Sequence, residues 1–231
     1  MGFANWLMRQ FGGKGCPSPH IPGLPMPGWR VVEQRQQMTV WQDADGDALS
    51  LARDASIGFP DLSDENAVRR CCRELAQNMN SGLVQADVVA GADGPAVMFI
   101  YKRLDKPAFV FTGMLVVAPT SKRSPLWTIV AREHGMTAVR EAVITAMLMN
   151  EGKLTVESYK ASWAKDPYEP AYAGVDRSTL RYLSDDESYD SRFPQHPLSK
   201  VRRELKALVA ARLLQPEQGA VADGGRDPGL S

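Results

Sequence analysis

Histidine and cysteine are scarce in this chain, with three of each in 231 residues. His20, His134 and His196 lie far apart, and no His-x-x-His, His-Glu-x-x-His or Cys-x-x-Cys is present. A metal centre built on short-range ligand spacing is therefore not expected. The cysteines are Cys16, Cys71 and Cys72. An adjacent pair cannot bridge without backbone strain, and an odd count without a framework points to reduced thiols in a reducing compartment. Cys71 and Cys72 read as small buried hydrophobes. An excess of one charge is also missing: Lys+Arg and Asp+Glu both number 27. No basic field favours nucleic acid. No apolar run reaches the ~18 residues of a membrane span, and Arg9 and Gln10 interrupt the start where a secretory signal would continue. A cytoplasmic protein is expected. Without a Gly-x-Ser-x-Gly elbow, a Gly-rich phosphate loop or a dinucleotide fingerprint, no cofactor is expected.

What is present divides into four parts. Residues 1–28 hold an amphipathic segment, with Phe3, Leu7 and Phe11 at helical spacing and Trp6 beside them, followed by a Pro/Gly linker. Residues 29–153 read as an α+β core domain. Residues 154–214 read as an aromatic extension that wraps over the domain and a final helix, and residues 215–231 as a disordered tail.

Within the core, 38–41 and 48–52 form a hairpin around Asp43, Asp45 and Asp47. The three aspartates match the first ligand positions of a calcium loop. Ala48, Ser50 and Asp54 occupy later positions where Gly, an apolar residue and Glu are usual, so a solvated turn is expected. A helix over 64–80 places Val68, Cys71, Cys72 and Leu75 on one face. Strands follow over 83–89, 96–101, 109–117 and 127–132, with 102–107 as a polar turn. Short connections make them antiparallel. Thr137 is expected to cap a second helix whose buried face holds Val139, Val143, Ile144, Met147 and Leu148. The expected fold is thus an antiparallel sheet packed by helices, an α/β/α sandwich.

Further on, Asp185, Asp186 and Glu187 read as a solvated acidic turn. The helix after Pro197 sets Leu198, Val201, Leu205 and Leu208 against the core, with Lys200, Arg202, Arg203 and Lys206 on a solvated face. Glu133 and His134 are the one compact acid/base pair. Neighbours on a strand point to opposite faces, which weakens a small-molecule enzyme reading built on them. Aromatic residues dominate interface energetics, so Phe3, Trp6, Phe11, Trp163, Tyr168 and Tyr172 are the candidate anchors for a protein partner. Contact of residues 1–11 with a membrane surface is an alternative.

The order hairpin, helix, antiparallel strands, helix between residues 38 and 152 resembles the PsbP-like α/β/α sandwich, the group that includes DcrB-type bacterial proteins. Thr39-Val-Trp-Gln-Asp-Ala-Asp-Gly-Asp-Ala-Leu-Ser-Leu51, the helix 64–80 and the strands from 96 to 132 carry the resemblance, which covers about half the chain. It implies a non-catalytic domain acting as an adaptor, an assembly factor or a chaperone that shields a hydrophobic helix of its client. No functional residue transfers, and the aromatic extension departs from a minimal domain of that type.

Overall fold

The computed structural model describes residues 27–59, 61–90, 94–117, 124–174 and 176–213. The expectations for the amphipathic segment with Phe3, Trp6 and Phe11, for the linker through residue 26 and for the tail lie outside these residues.

Successive side chains of a strand point to opposite faces, and apolar residues fill both faces of the central sheet. Its strands are β1 (Arg30–Arg35), β2 (Met38–Gln42), β3 (Ala48–Ala55), β4 (Gly82–Val89), β5 (Ala96–Asp105), β6 (Ala108–Val117) and β7 (Ser124–Arg132). They lie in the order β1-β2-β3-β7-β6-β5-β4, and every neighbouring pair is antiparallel. Leu49, Leu51, Met98, Ile100, Phe111, Leu115 and Ile129 point to one face. Ala52, Val97, Phe99, Tyr101, Met114, Val116 and Leu126 point to the other. Strands buried on both faces read as continuous apolar runs, which is why 109–117 stood out in the sequence.

Helix α1 (Glu65–Asn78) covers the second face through Val68, Cys72 and Ala76, spaced four residues apart. Asp64 caps it by accepting the Ala67 N–H at 3.0 Å. Cys72 is fully buried, and burial pushes its thiol pKa up, as suits an inert core residue.

Past β7 the chain continues as helices α2 (Val139–Asn150) and α3 (Val156–Ser162). A small ribbon of β8 (Ala164–Lys165) and β9 (Arg181–Tyr182) follows, and the long helix α4 (Pro197–Leu213) ends the described chain. Leu198, Val201, Leu205 and Leu208 of α4 pack on the first sheet face. Gly113 permits this approach: a Cβ there would come within 2.5 Å of Val201. The residues after 153 thus supply one outer layer of an α/β/α sandwich. Helix α2 packs on neither sheet face. Its Ile144 and Leu148 join Leu154, Trp163 and Leu180 in a separate cluster. Among the described residues no helix is long and apolar enough to cross a membrane.

Two local expectations are corrected. Strand β5 runs on through Lys102, and the turn reduces to Lys106 and Pro107, because a buried carboxylate neutralises Lys102 in place. Helix α2 is capped at Ala138, not Thr137. Ala138 adopts a left-handed backbone, φ 60°, and offers no side-chain cap bond.

Candidate functional site

Helix α2 has its polarity inverted. Arg140 and Glu141, the charged residues within it, are buried. The residues facing outward are Val139, Ala142, Val143, Ala146 and Met149, with Met136 just before the helix. Val143 is 50% exposed and Met136 84%. The expected inward positions of Val139 and Val143 are therefore overturned. Two faces of this helix are apolar at helical spacing, 139/142/143/146 and 144/148, and periodicity alone could not tell which one turns inward. Arg140 decides it. Its guanidinium donates to the Ser184 carbonyl at 2.7 Å, the Ser199 hydroxyl at 2.8 Å and the Asp186 carbonyl at 2.9 Å, and it pairs with Asp190 at 2.9 Å. Burying charges while exposing valines runs against the usual partition of residues.

Glu133 holds the same N-terminal end of the helix from the preceding turn. Its carboxylate accepts the Phe109 N–H at 2.9 Å and the Ala138 N–H at 3.1 Å, and so holds the turn that launches α2. Burial opposes ionisation here. His196 and the two backbone N–H groups outweigh it and leave the Glu133 pKa below the usual carboxylate value. Glu133 meets His196 at 3.6 Å, while His134 is exposed and lies 3.7 Å from Asp47; all four residues line one open depression.

Glu133, Glu141 and His196 offer ligand atoms close enough together to surround an ion. His196 Nδ1 accepts the Leu198 N–H at 3.3 Å. The ring proton then sits on Nε2, the nitrogen aimed at the carboxylates. A metal-ligating histidine has the reverse arrangement, with its outer nitrogen as donor. With Nδ1 taken by the Leu198 N–H, the ring is not held in the arrangement of a metal ligand. Among the described residues neither Glu141 side-chain oxygen has a hydrogen-bond partner, and burial, the main cause, raises its pKa. Beside it, Lys102 and Asp185 pair at 2.5 Å with both side chains sealed from water. Burial lowers the Lys102 pKa against the opposing pull of Asp185. The acidic turn expected to be solvated is in its first residue a core ion pair.

The aspartate hairpin is likewise less solvated than its sequence suggests. Lys200 of α4 reaches into it and binds Asp43, Asp45 (2.9 Å) and Asp47 (2.6 Å). Burial disfavours the Lys200 charge, but the three carboxylates outweigh it and hold its pKa well above the ordinary lysine value. The cation position of this loop is filled by the protein's own ammonium. The basic face of α4 is therefore split. Lys200 and Arg202 are buried in pairs, whereas Arg203 and Lys206 stay at the surface. An open depression lined by Asp47, His134, Met136, Val139, His196 and Lys200 lies at the start of α2.

The aromatic residues of the extension are engaged within the fold. Trp163 is buried, stacked on Tyr159 at 5.3 Å and tilted against Tyr182. The Tyr168 hydroxyl donates to the Ala86 carbonyl and accepts the Ala86 N–H, with Arg69 over its ring. Tyr172 is half-buried and accepts from Gln77, and Arg73 lies over its ring. Arg73 also grips Asp166 through two bonds of 2.8 Å, which ties the extension to α1.

No protein-family profile matches the chain, and no curated protein is similar to it. Among solved structures it is similar to a mutant of the protein Mog1, at 10% identity over 81% of this chain and 86% of that one, with a TM-score of 0.36. A likeness so low assigns no function.

Proposed function

We propose that this protein is a non-catalytic binding module that docks an apolar helical segment of a protein partner on the outward face of α2, in an adaptor or chaperone role. The observation that supports it is the inverted helix: an uncharged exposed face of Val139, Ala142, Val143, Ala146 and Met149, held rigid from beneath by the Arg140 and Glu133 contacts. Exposed contiguous apolar surface marks interaction sites in soluble proteins. A helix laid against it would use the ridges-into-grooves contact common to helix pairs. Ala142 and Ala146 leave room between the larger side chains for a partner's rings.

The test is a photo-crosslinking residue placed at Val143 and, as control, at Val32 on edge strand β1, which is equally exposed. In native lysate the Val143 position is expected to link to a discrete second protein and the Val32 position is not. No link at Val143, or the same links at both positions, contradicts the proposal.

A further inference from the structure

We propose that the buried charge network beneath α2 is completed by one proton, carried on the Glu141 carboxyl beside His196, and that its loss as pH rises loosens the seat of α2. As a control of partner binding this rests on the reading of the outward face as a docking surface; as a proton site it stands without that reading.

The charges beneath α2 do not balance. Lys102, Arg140 and Arg202 are buried cations. Lys102 pairs with Asp185 at 2.5 Å, and Asp190 meets Arg140 at 2.9 Å and Arg202 at 3.0 Å. Glu133 and Glu141 add two more buried carboxyls, while Lys200, one turn along α4, is already matched by Asp43, Asp45 and Asp47. Lys102, Arg140 and Arg202 thus face Asp185, Asp190, Glu133 and Glu141. The set is neutral with one proton bound and negative without it, and uncompensated charge away from water is costly.

The contacts say where that proton sits. Glu133 accepts the Phe109 and Ala138 N–H groups, and Asp185 accepts from Lys102 and from the Tyr182 N–H at 2.8 Å. Glu141 is 8% exposed, and among the described residues neither of its side-chain oxygens has a partner. Turned toward it are His196 at the start of α4, Glu133 after β7, Asp185 and Tyr182 of the extension, and Lys102 of β5. The first turn of a helix attracts a carboxylate, but burial outweighs this and raises the Glu141 pKa. His196 does not take the proton freely. Its Nδ1 accepts the Leu198 N–H, and a second ring proton would break that bond.

Position gives this proton its leverage. Glu141 follows Arg140, whose contacts seat α2, and it faces Glu133, which holds the Ala138 N–H. On deprotonation the proton passes to water, which reaches the depression that Glu133 and His196 line. The carboxylate left behind repels Glu133 and Asp185 where α2 is fastened. A group that binds its proton more tightly when folded stabilises the fold at low pH and ceases to do so as pH rises through its folded pKa.

The experiment is amide hydrogen exchange of the full chain from about pH 5 to about pH 8, above the range of ordinary carboxylates. Rates are converted to protection factors, so that the intrinsic pH dependence of exchange drops out. In the wild type, protection of residues 139–149 relative to α1 is expected to fall about tenfold across this range. Glu141→Gln cannot ionise and is expected to hold a constant ratio. His134→Gln, which removes the exposed imidazole of the depression, is expected to follow the wild type. A flat ratio in the wild type, the same fall in Glu141→Gln, or a fall lost in His134→Gln overturns the proposal. If the fall occurs as expected while Val143→Glu leaves partner capture unchanged, the docking reading fails and the proton site stands. A flat ratio with capture lost in Val143→Glu refutes the proton site alone.

Discussion

Lys200 shows how one side chain can satisfy a cluster that its sequence suggests for a metal. Three carboxylates from one hairpin turn converge on its ammonium, and Asp47 is almost wholly buried. Removing one partner of a buried ion pair leaves uncompensated charge, which typically costs about 3–5 kcal/mol. Lys200→Met is therefore expected to lower stability by roughly 3 kcal/mol, read from urea midpoints. An unchanged midpoint would show that the aspartates are adequately solvated without it. Glu141 makes the opposite case. Its folded pKa lies above the unfolded value, so the folded state holds the proton more tightly. Its contribution favours folding at low pH and is lost as pH rises through the folded pKa. Glu141→Gln is thus predicted to stabilise the protein at neutral pH, with the difference vanishing by ~pH 4, where both forms are neutral. Thermal melts across that range check it, and a constant offset at every pH would contradict the burial argument.

At the scale of elements, the strands and α1 were legible because their patterns are local. The continuous apolar runs of β5 and β6 and the 68/72/76 spacing of α1 identify buried elements without knowledge of the rest. Helix α2 was not legible in this way. The residues that turn its polar side inward, Ser184 and Ser199, lie 44 and 59 positions from Arg140. The same holds for Lys102 with Asp185, 83 residues apart, and for Lys200 with its hairpin. Each looked like a solvated charge until the fold supplied its counter-ion. The entry into α2 carries a left-handed alanine at 138, a conformation costing ~1–2 kcal/mol for a residue with a Cβ. Ala138→Gly is expected to raise stability by up to about 1 kcal/mol after the greater freedom of unfolded glycine is subtracted. Denaturant titration measures it, and destabilisation would mean that the αL turn is not strained. Gly113 sets the seam between sheet and α4. Gly113→Val is expected to cost ~1–3 kcal/mol through overpacking against Val201 and Leu205, and a neutral result would mean that α4 can shift freely.

For the molecule as a whole, charge is turned inward and apolar surface outward at one place. The zero net charge of the chain hides an arrangement in which Lys102, Arg140, Lys200 and Arg202 are all buried against carboxylates between the sheet, the extension and α4. That network fixes the underside of α2 and leaves Val139, Val143 and Met149 to solvent. The role proposed for this face is to be covered by another protein. It is tested most directly by affinity capture from native lysate with the wild-type chain and Val143→Glu side by side. Val143 is half exposed, so the charge should leave the melting temperature nearly unchanged, within the ~0.5 kcal/mol usual for surface substitutions. A discrete partner is expected to be recovered by the wild type and lost from Val143→Glu at equal fold stability. Recovery of the same partner by both proteins, or of no partner by either, would contradict it.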